Sequence, residues 1–194
     1  MCNSPIGNST ILFRKTFDLA LQSMTDKDLE TERLKLRSFT QNDIDTYAHW
    51  LSDANIMQYI GEGKTRNHKE AWNNLAWIIG HWELRGYGLW AVEEKESGEL
   101  IGRIGLFNPE GWPGIELSWL LSSTHWGKGY ATEGAKTALE FGFNKCHPNS
   151  LISMIHPDND KSIRVAERLG MQYDTDISFS GVQVHKYIIL APEK

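Results

Sequence analysis

Between Leu117 and Ala135 the chain reads Leu-Ser-Trp-Leu-Leu-Ser-Ser-Thr-His-Trp-Gly-Lys-Gly-Tyr-Ala-Thr-Glu-Gly-Ala. This is the pattern of a buried strand, a short turn, a glycine loop and the start of an amphipathic helix. A glycine loop between a strand and a helix brings bare backbone N–H groups to a helix N-terminus. That arrangement is a site for an anion, most often phosphate. The question of function becomes which phosphate-bearing ligand such a loop holds.

Two common phosphate motifs do not account for it. The chain has no Gly-x-x-x-x-Gly-Lys-Ser/Thr run, which excludes a P-loop nucleotide hydrolase. Gly127-x-Gly129-x-x-Thr132 lacks the third glycine of a dinucleotide fingerprint, and no acidic residue follows at the required distance.

The segments around the loop define the fold class. Arg33–Phe39 alternates as a half-buried strand, and Thr40-Gln41-Asn42-Asp43 starts a helix in capping-box style, with Ile44, Tyr47, Ala48 and Leu51 on one face. Asn67–Arg85 is a second helix, with Trp72, Leu75, Ile79 and Trp82 as its stripe. Strands follow at Leu89–Glu94, Leu100–Phe107 and Ile115–Leu121, separated by the turn Glu96–Glu99 and the loop Asn108–Gly114. A helix from Gly129 to about Lys145, a strand at Leu151–Ile155 and a helix Lys161–Leu169 closed by Gly170 come next. Two strands, Tyr173–Phe179 and Val182–Leu190, finish the chain. The order β-α-α-β-β-β-α-β-α-β-β predicts an α/β domain: a central, mostly antiparallel mixed sheet with helices on both faces.

Composition narrows the partners. A length of 194 residues suits one domain with a real core, here expected over 31–194, with 1–30 as an N-terminal tail. The net charge of −5 and the lack of a basic tract argue against nucleic acid and against electrostatic membrane docking. They leave room for a local basic funnel for phosphates. No apolar run approaches the ~18 residues that span a bilayer. Cys2 and Cys146 make neither a disulfide framework nor a metal site, which fits a reducing cytoplasm. Thr10–Leu21 carries Arg14, Lys15 and Asp18 and is not a clear secretory signal, so the Asn8-Ser9-Thr10 sequon is chance; Met24 is a candidate start.

Trp126-Gly127-Lys128-Gly129-Tyr130-Ala131 resembles the acyl-CoA pyrophosphate loop of the Gcn5-related N-acetyltransferase (GNAT) superfamily, Gln/Arg-x-x-Gly-x-Gly/Ala. Gly129 and Ala131 match, and Trp126 replaces the first residue. Asn159-Asp160-Lys161-Ser162-Ile163-Arg164-Val165-Ala166-Glu167-Arg168-Leu169-Gly170-Met171 resembles the family's Asn-x-x-Ser-x-Arg-x-x-Glu-Lys-Leu-Gly-Phe segment. Glu30–Arg37 is similar to the start of the ribosomal-protein N-terminal acetyltransferase (RimJ/RimL-like) branch. Together these cover roughly Thr31 to Leu190.

The resemblance implies the GNAT fold and transfer of an acetyl group from acetyl-CoA, as cosubstrate and without a metal, to a primary amine by direct attack in a ternary complex. It implies cofactor contacts from Trp126, Gly127, Lys128, Gly129, Tyr130, Ala131 and Thr132. It adds Asn159 for the pantetheine arm, Ser162 beside it, and backbone N–H groups of the strand end Trp119-Leu120-Leu121 for carbonyl polarisation. A bulge in that strand, or its splay from Leu151–Ile155, would form the slot.

Glu116 is the candidate base. Period-2 alternation groups it with Ser118 and Leu120, away from Ile115, Leu117, Trp119 and Leu121, and a carboxylate in a central strand has its pKa raised. The other reading is a solvated glutamate near a strand end. His125 and His156 are alternative imidazole bases, His125 reading better as a surface-loop histidine. His147 and His185 show only ordinary placement. The family tyrosine acid falls at Ala166 and is absent. Ser162, Tyr130 or Tyr173 could protonate the thiolate, or none is needed.

Trp72, Trp82, Trp112 and Tyr59 are candidate walls of the acceptor site, core packing being the better reading for the helix tryptophans. The acceptor is a protein N-terminus or a small amine. The competing reading is a non-catalytic acyl-CoA-binding sensor or scaffold. Packing through the last strands, as in a homodimer, is compatible with both.

Overall fold

The computed structural model describes residues 27–192. Cys2, the sequon at Asn8, the segment Thr10–Leu21 and Met24 lie outside them. The strands are β1 (Leu29–Glu30), β2 (Leu34–Arg37), β3 (Leu89–Glu94), β4 (Leu100–Phe107), β5 (Glu116–Leu121), β6 (Ser150–Ile155), β7 (Gln172–Phe179) and β8 (Val182–Leu190). The helices are α1 (Ile44–Ser52), α2 (Ala54–Met57), α3 (His68–Arg85), α4 (Tyr130–Phe141) and α5 (Asp160–Arg168). The strands form one sheet in the order β1-β2-β3-β4-β5-β6-β8-β7. Every neighbouring pair is antiparallel except β5–β6.

This is the expected mixed α/β architecture, with three differences of detail. The first strand stops at Arg37, whose guanidinium turns aside to the carboxylate of Asp43 at 2.9 Å. A two-residue β1 precedes it, pairing Leu29 with Leu36. The helix expected to reach Lys145 is α-helical only to Phe141 and continues as a wider π-helical turn, Gly142–Cys146.

Two apolar cores sit on opposite faces of the sheet. One joins Leu34, Trp90, Ile104, Leu117 and Leu121 to Ala135 and Ala138 of α4 and Ala166 of α5. Two glycines let α4 approach the sheet closely. A Cβ at Gly134 would stand 2.6 Å from Ile104 Cδ1, and just beyond the helix one at Gly142 would stand 2.9 Å from Leu106 Cδ1. The other core joins α1, α2 and α3 to the opposite face through Tyr47, Leu51, Met57, Leu75 and Ile78.

The stripe expected on α3 is misplaced by one position at two of its four residues. Trp72 is 55 % and Ile79 40 % exposed, whereas Ala71, Leu75, Ile78 and Trp82 are buried. The helix is turned so that two polar side chains face inward with partners. Asn74 Oδ1 accepts from the Tyr47 hydroxyl at 2.6 Å, and His81 Nε2 accepts from the Asn108 amide at 3.0 Å. These bonds offset the cost of turning polar groups inward, although His81 Nδ1 is buried without a partner of its own.

Candidate active site

β5 and β6 pair at a single point, Glu116 opposite Ile152, and then diverge. The Ile152 amide donates to the Ile115 carbonyl at 3.0 Å, and Ser153 Oγ donates to the Leu117 carbonyl at 2.6 Å. Beyond Leu117 the two strands share no ladder. At the far end the Ser122 amide turns to β4, donating to the Ile101 carbonyl at 2.8 Å. Alternation along the strand therefore aims the N–H groups of Trp119 and Leu121 into the gap. The splay expected from the sequence is present.

Two cavities open on this gap. One, of about 1250 Å³, runs beside the glycine loop and α5. It is lined by every residue assigned above to the cofactor: Trp119, Leu120 and Leu121 on β5, Trp126, Gly127, Lys128 and Gly129 in the loop, Tyr130, Ala131 and Thr132 on α4, and Asn159 and Ser162 at α5. The other, of about 940 Å³, lies on the face of α1 and α3 and holds Glu116. The two share Tyr59, Ile60, Trp119, Asn159 and Ser162.

The glycine loop has the geometry of an anion cradle. Gly127 (φ 79°) and Gly129 (φ 85°) are left-handed, a conformation that glycine adopts at least cost. A Cβ at Gly127 would meet nothing within 4 Å, and one at Gly129 only Arg33 Nη2 at 3.5 Å. Packing does not demand these glycines; the backbone turn does, and the space outside them is open. The first amide of α4 to find a helical partner is that of Glu133, bonded to the Gly129 carbonyl at 3.0 Å. The N–H groups of Tyr130, Ala131 and Thr132, with no side-chain cap, remain for an external acceptor.

The loop is anchored from the sheet. Glu133 accepts from Thr31 Oγ1 at 2.5 Å, from the Arg33 amide at 2.9 Å and from Arg33 Nε at 2.7 Å. Arg33 Nη1 in turn donates to the Lys128 carbonyl at 3.1 Å, and its guanidinium stacks 4.5 Å from the Tyr130 ring centre. The Tyr130 hydroxyl bonds to Glu94, away from the gap, which removes it as a donor to a thiolate.

α5 supplies charge that was not singled out in the sequence. Lys161, Arg164 and Arg168 all line the larger cavity, at helical spacings of three and four. Lys161 Nζ lies 4.0 Å from the Trp126 ring centre, so the tryptophan in place of the usual polar residue seats a cation. The local basic funnel that a net-negative chain leaves room for is this helix face.

At the junction of the cavities Asn159 Oδ1 accepts from the Ser162 amide at 3.2 Å and caps α5. Trp119 Nε1 donates to Ser162 Oγ at 3.2 Å. With a lone pair of Ser162 engaged, its own O–H proton is free to be given to a neighbour in the gap.

Glu116 lies on the floor of the smaller cavity, on the face that alternation assigned to it. Removal from water raises its pKa, against the opposing pull of a 2.8 Å hydrogen bond from Trp112 Nε1, the Arg103 charge and the Met154 amide. Trp112 is therefore a wall of this cleft and a partner of its carboxylate. Trp77, Phe107 and Phe179 complete an aromatic wall, with ring centres 4.7 to 5.8 Å apart around Trp112. Tyr59 also lines the cleft.

Other candidates fall elsewhere. Trp72 is on the outer surface, and Trp82 is buried against Trp90 with its Nε1 on the Leu89 carbonyl at 3.0 Å. Tyr173 is 52 % exposed on β7 beside His185 and lines neither cavity, so it cannot protonate a group in the gap. His185 is bonded to Asp176 at 2.5 Å, and His147 ends the π-helical turn. His125 stands in the short turn after β5 but is half-buried: its side chain is 12 % exposed, bonded to Thr124 Oγ1 at 3.0 Å, and it lines the larger cavity only. His156 does line the smaller cleft, but its Nδ1 accepts from the Asp158 amide at 3.2 Å. In the neutral ring that leaves Nε2 as the protonated nitrogen, a donor and not a base. Ala166 is wholly buried and lines neither cavity.

Residues 33–172 match the family described as Acetyltransferase (GNAT) domain. The uncharacterised protein YkkB of Bacillus subtilis is 34% identical over 152 residues, covering 77% of this chain and 87% of that one. An acetyltransferase from Agrobacterium tumefaciens superposes with a TM-score of 0.73 at 31% identity, covering 82% of this chain and 93% of the other. AAC(6')-Ib, solved in complex with ribostamycin and coenzyme A, shares the fold at a TM-score of 0.69 and 18% identity, covering 82% and 94%. A sheet that splays beside a glycine-loop helix, matched by sequence over most of its length, leaves one assignment: this chain belongs to the GNAT acetyltransferase family.

Proposed function

We propose that the chain is an acetyl-CoA-dependent N-acetyltransferase acting on a primary amine by direct attack in a ternary complex. The observation that carries this reading is the meeting of two cavities at Trp119, Asn159 and Ser162, with an anion cradle on one side and a half-buried carboxylate on the other. The larger cavity fits the cosubstrate. Three free helix amides and the cations of Lys128, Lys161, Arg164 and Arg168 suit a pyrophosphate, and the β5–β6 gap suits a pantetheine arm. The coenzyme A held by AAC(6')-Ib, a protein of the same fold, supports this placement.

In this reading Glu116 takes a proton from the incoming ammonium, directly or through one water, and presents the neutral amine. The N–H of Trp119 polarises the thioester carbonyl as charge develops on its oxygen. Ser162 holds a proton for the departing sulfur, its oxygen oriented by Trp119 Nε1. The protein's main contribution beyond these groups is holding amine and thioester together in one gap. Whether the acceptor is a protein N-terminus, as the RimJ/RimL-like opening suggests, or a small amine follows from the acceptor cleft, taken up below. The two-cysteine composition is in keeping with a cytoplasmic enzyme, and β7 at the sheet edge offers the strand for a homodimer.

Calorimetric titration with acetyl-CoA tests the cosubstrate. One-to-one binding by the wild type is expected, with strong weakening in Gly129→Glu and in Arg164→Glu, the second leaving the loop backbone unstrained. Absence of binding by the folded wild type would overturn the reading. Binding without acetylation of any amine would favour the sensor.

A further inference from the structure

The smaller cleft contains two guanidinium groups that no carboxylate takes up. Arg103 stands on the cleft face of β4, opposite Leu120 of β5 in register, and Arg66 stands between α2 and α3. Among the described residues neither side chain has an ion-pair or hydrogen-bond partner, and Nε of Arg103 is closed off from water without an acceptor. The other charges of the cleft are engaged. Lys64 Nζ meets Glu62 at 2.6 Å, Glu70 accepts from the Asn67 amide at 2.8 Å, and Glu116 accepts from Trp112. His156 is bound to its own turn. Nε itself is sealed from the cleft as well, so what the cleft offers is the remaining N–H groups of the two guanidinium forks, which take no protein acceptor and whose planar geometry matches a carboxylate.

We propose that Arg103, with Arg66, receives a carboxylate of the acceptor, so that the preferred substrate is a small primary amine that also bears a carboxylate. The proposal rests on the acetyl-transfer reading above, which brings the amine to Glu116. Glu116 and Leu120, the partner of Arg103, are four residues apart on one strand, roughly 13 Å at about 3.3 Å per residue. The Arg103 side chain shortens that span, and its charge acts on Glu116. One small molecule can therefore place its amine at Glu116 and its carboxylate at Arg103, with Phe107 and Trp77 beside its carbon stem.

The test uses amino acids of differing amine-to-carboxylate spacing, each paired with its carboxamide. Transfer is followed by thiol release, and binding by calorimetry on coenzyme A-loaded protein. The account expects the carboxylate form to show at least about tenfold higher kcat/KM or tighter binding for at least one pair. Arg103→Gln should abolish that preference, and Arg103→Lys should retain part of it. Acetyl-CoA binding by each variant reports that it is folded. Equal use of carboxylate and carboxamide across the panel, with a protein N-terminal peptide accepted instead, would overturn the proposal. So would a preference that survives Arg103→Gln and Arg66→Gln together. A carboxylate preference in binding, lost in Arg103→Gln but unaccompanied by any transfer, would keep the carboxylate site and sink the acetyltransferase reading.

Discussion

The indole Nε1 of Trp112 donates to Oε2 of Glu116 at 2.8 Å, tying the loop between β4 and β5 to the carboxylate on the cleft floor. This bond opposes the effect of burial, which raises the Glu116 pKa. It holds the Glu116 carboxyl closer to its ionised form than an apolar cleft alone would.

Trp112→Phe removes the donor and keeps most of the ring. The Glu116 pKa then rises further, and the fraction ionised at a given pH falls. The acid limb of the kcat/KM profile is expected to move to higher pH, with activity recovered on the alkaline side. An unmoved limb would separate Glu116 from the titration that limits the rate.

Glu133→Gln should loosen the glycine loop. Hydrogen bonds from Thr31 and Arg33 hold the Glu133 carboxyl below the usual glutamate range despite the opposing effect of burial. Arg33 carries that order to the Lys128 carbonyl. The ion pair is partly exposed on the Arg33 side, so the stability loss should be about 1 kcal/mol. A similar loss in loop order corresponds to about fivefold weaker acetyl-CoA binding. Denaturant unfolding and calorimetry on the same variant measure the two effects.

The legible and illegible parts of this site differ in sequence range. Gly127 and Gly129 were legible because a glycine loop between a strand and a helix is written within a few neighbouring residues, and Asn159 and Ser162 because they stand in a short segment that resembles a family motif; the structure sets all four along one cavity. The face on which Glu116 stands could be read because strand alternation is equally local. Arg103 and Arg66 could not, since their importance lies in lacking a partner across elements that only the fold brings together. The face of α3 was misplaced because Asn74 and His81 turn inward to bonds from Tyr47 and the Asn108 amide, which apolar periodicity does not register. The basic face of α5 was readable from the spacing of Lys161, Arg164 and Arg168, had charge been counted around the helix as apolar residues were.

Asp43→Asn tests the link between β2 and the first helical turn. Asp43 is 6 % exposed and accepts from both terminal nitrogens of Arg37 at 2.9 Å and from the Thr40 amide at 2.7 Å. Burial pushes its pKa up, but these bonds outweigh it and hold the group below the ordinary aspartate range. A depressed folded-state pKa contributes stability above the unfolded-state value and loses it as pH falls through the folded one. Wild type should exceed the variant by about 2 kcal/mol near neutrality. The gap should narrow once the pH drops below about 4. Chemical unfolding at several pH values measures it; a pH-independent gap would mean that the charge of Asp43 is not what stabilises the turn.

The most direct test of the account is the single-turnover rate of acetyl transfer in Glu116→Gln beside its affinity for acetyl-CoA. A positioned general base contributes about 10²- to 10⁴-fold. The account predicts a loss in that range with acetyl-CoA affinity unchanged, since Glu116 lines the smaller cavity and not the larger one proposed for the cosubstrate. Wild-type turnover in the variant would contradict it.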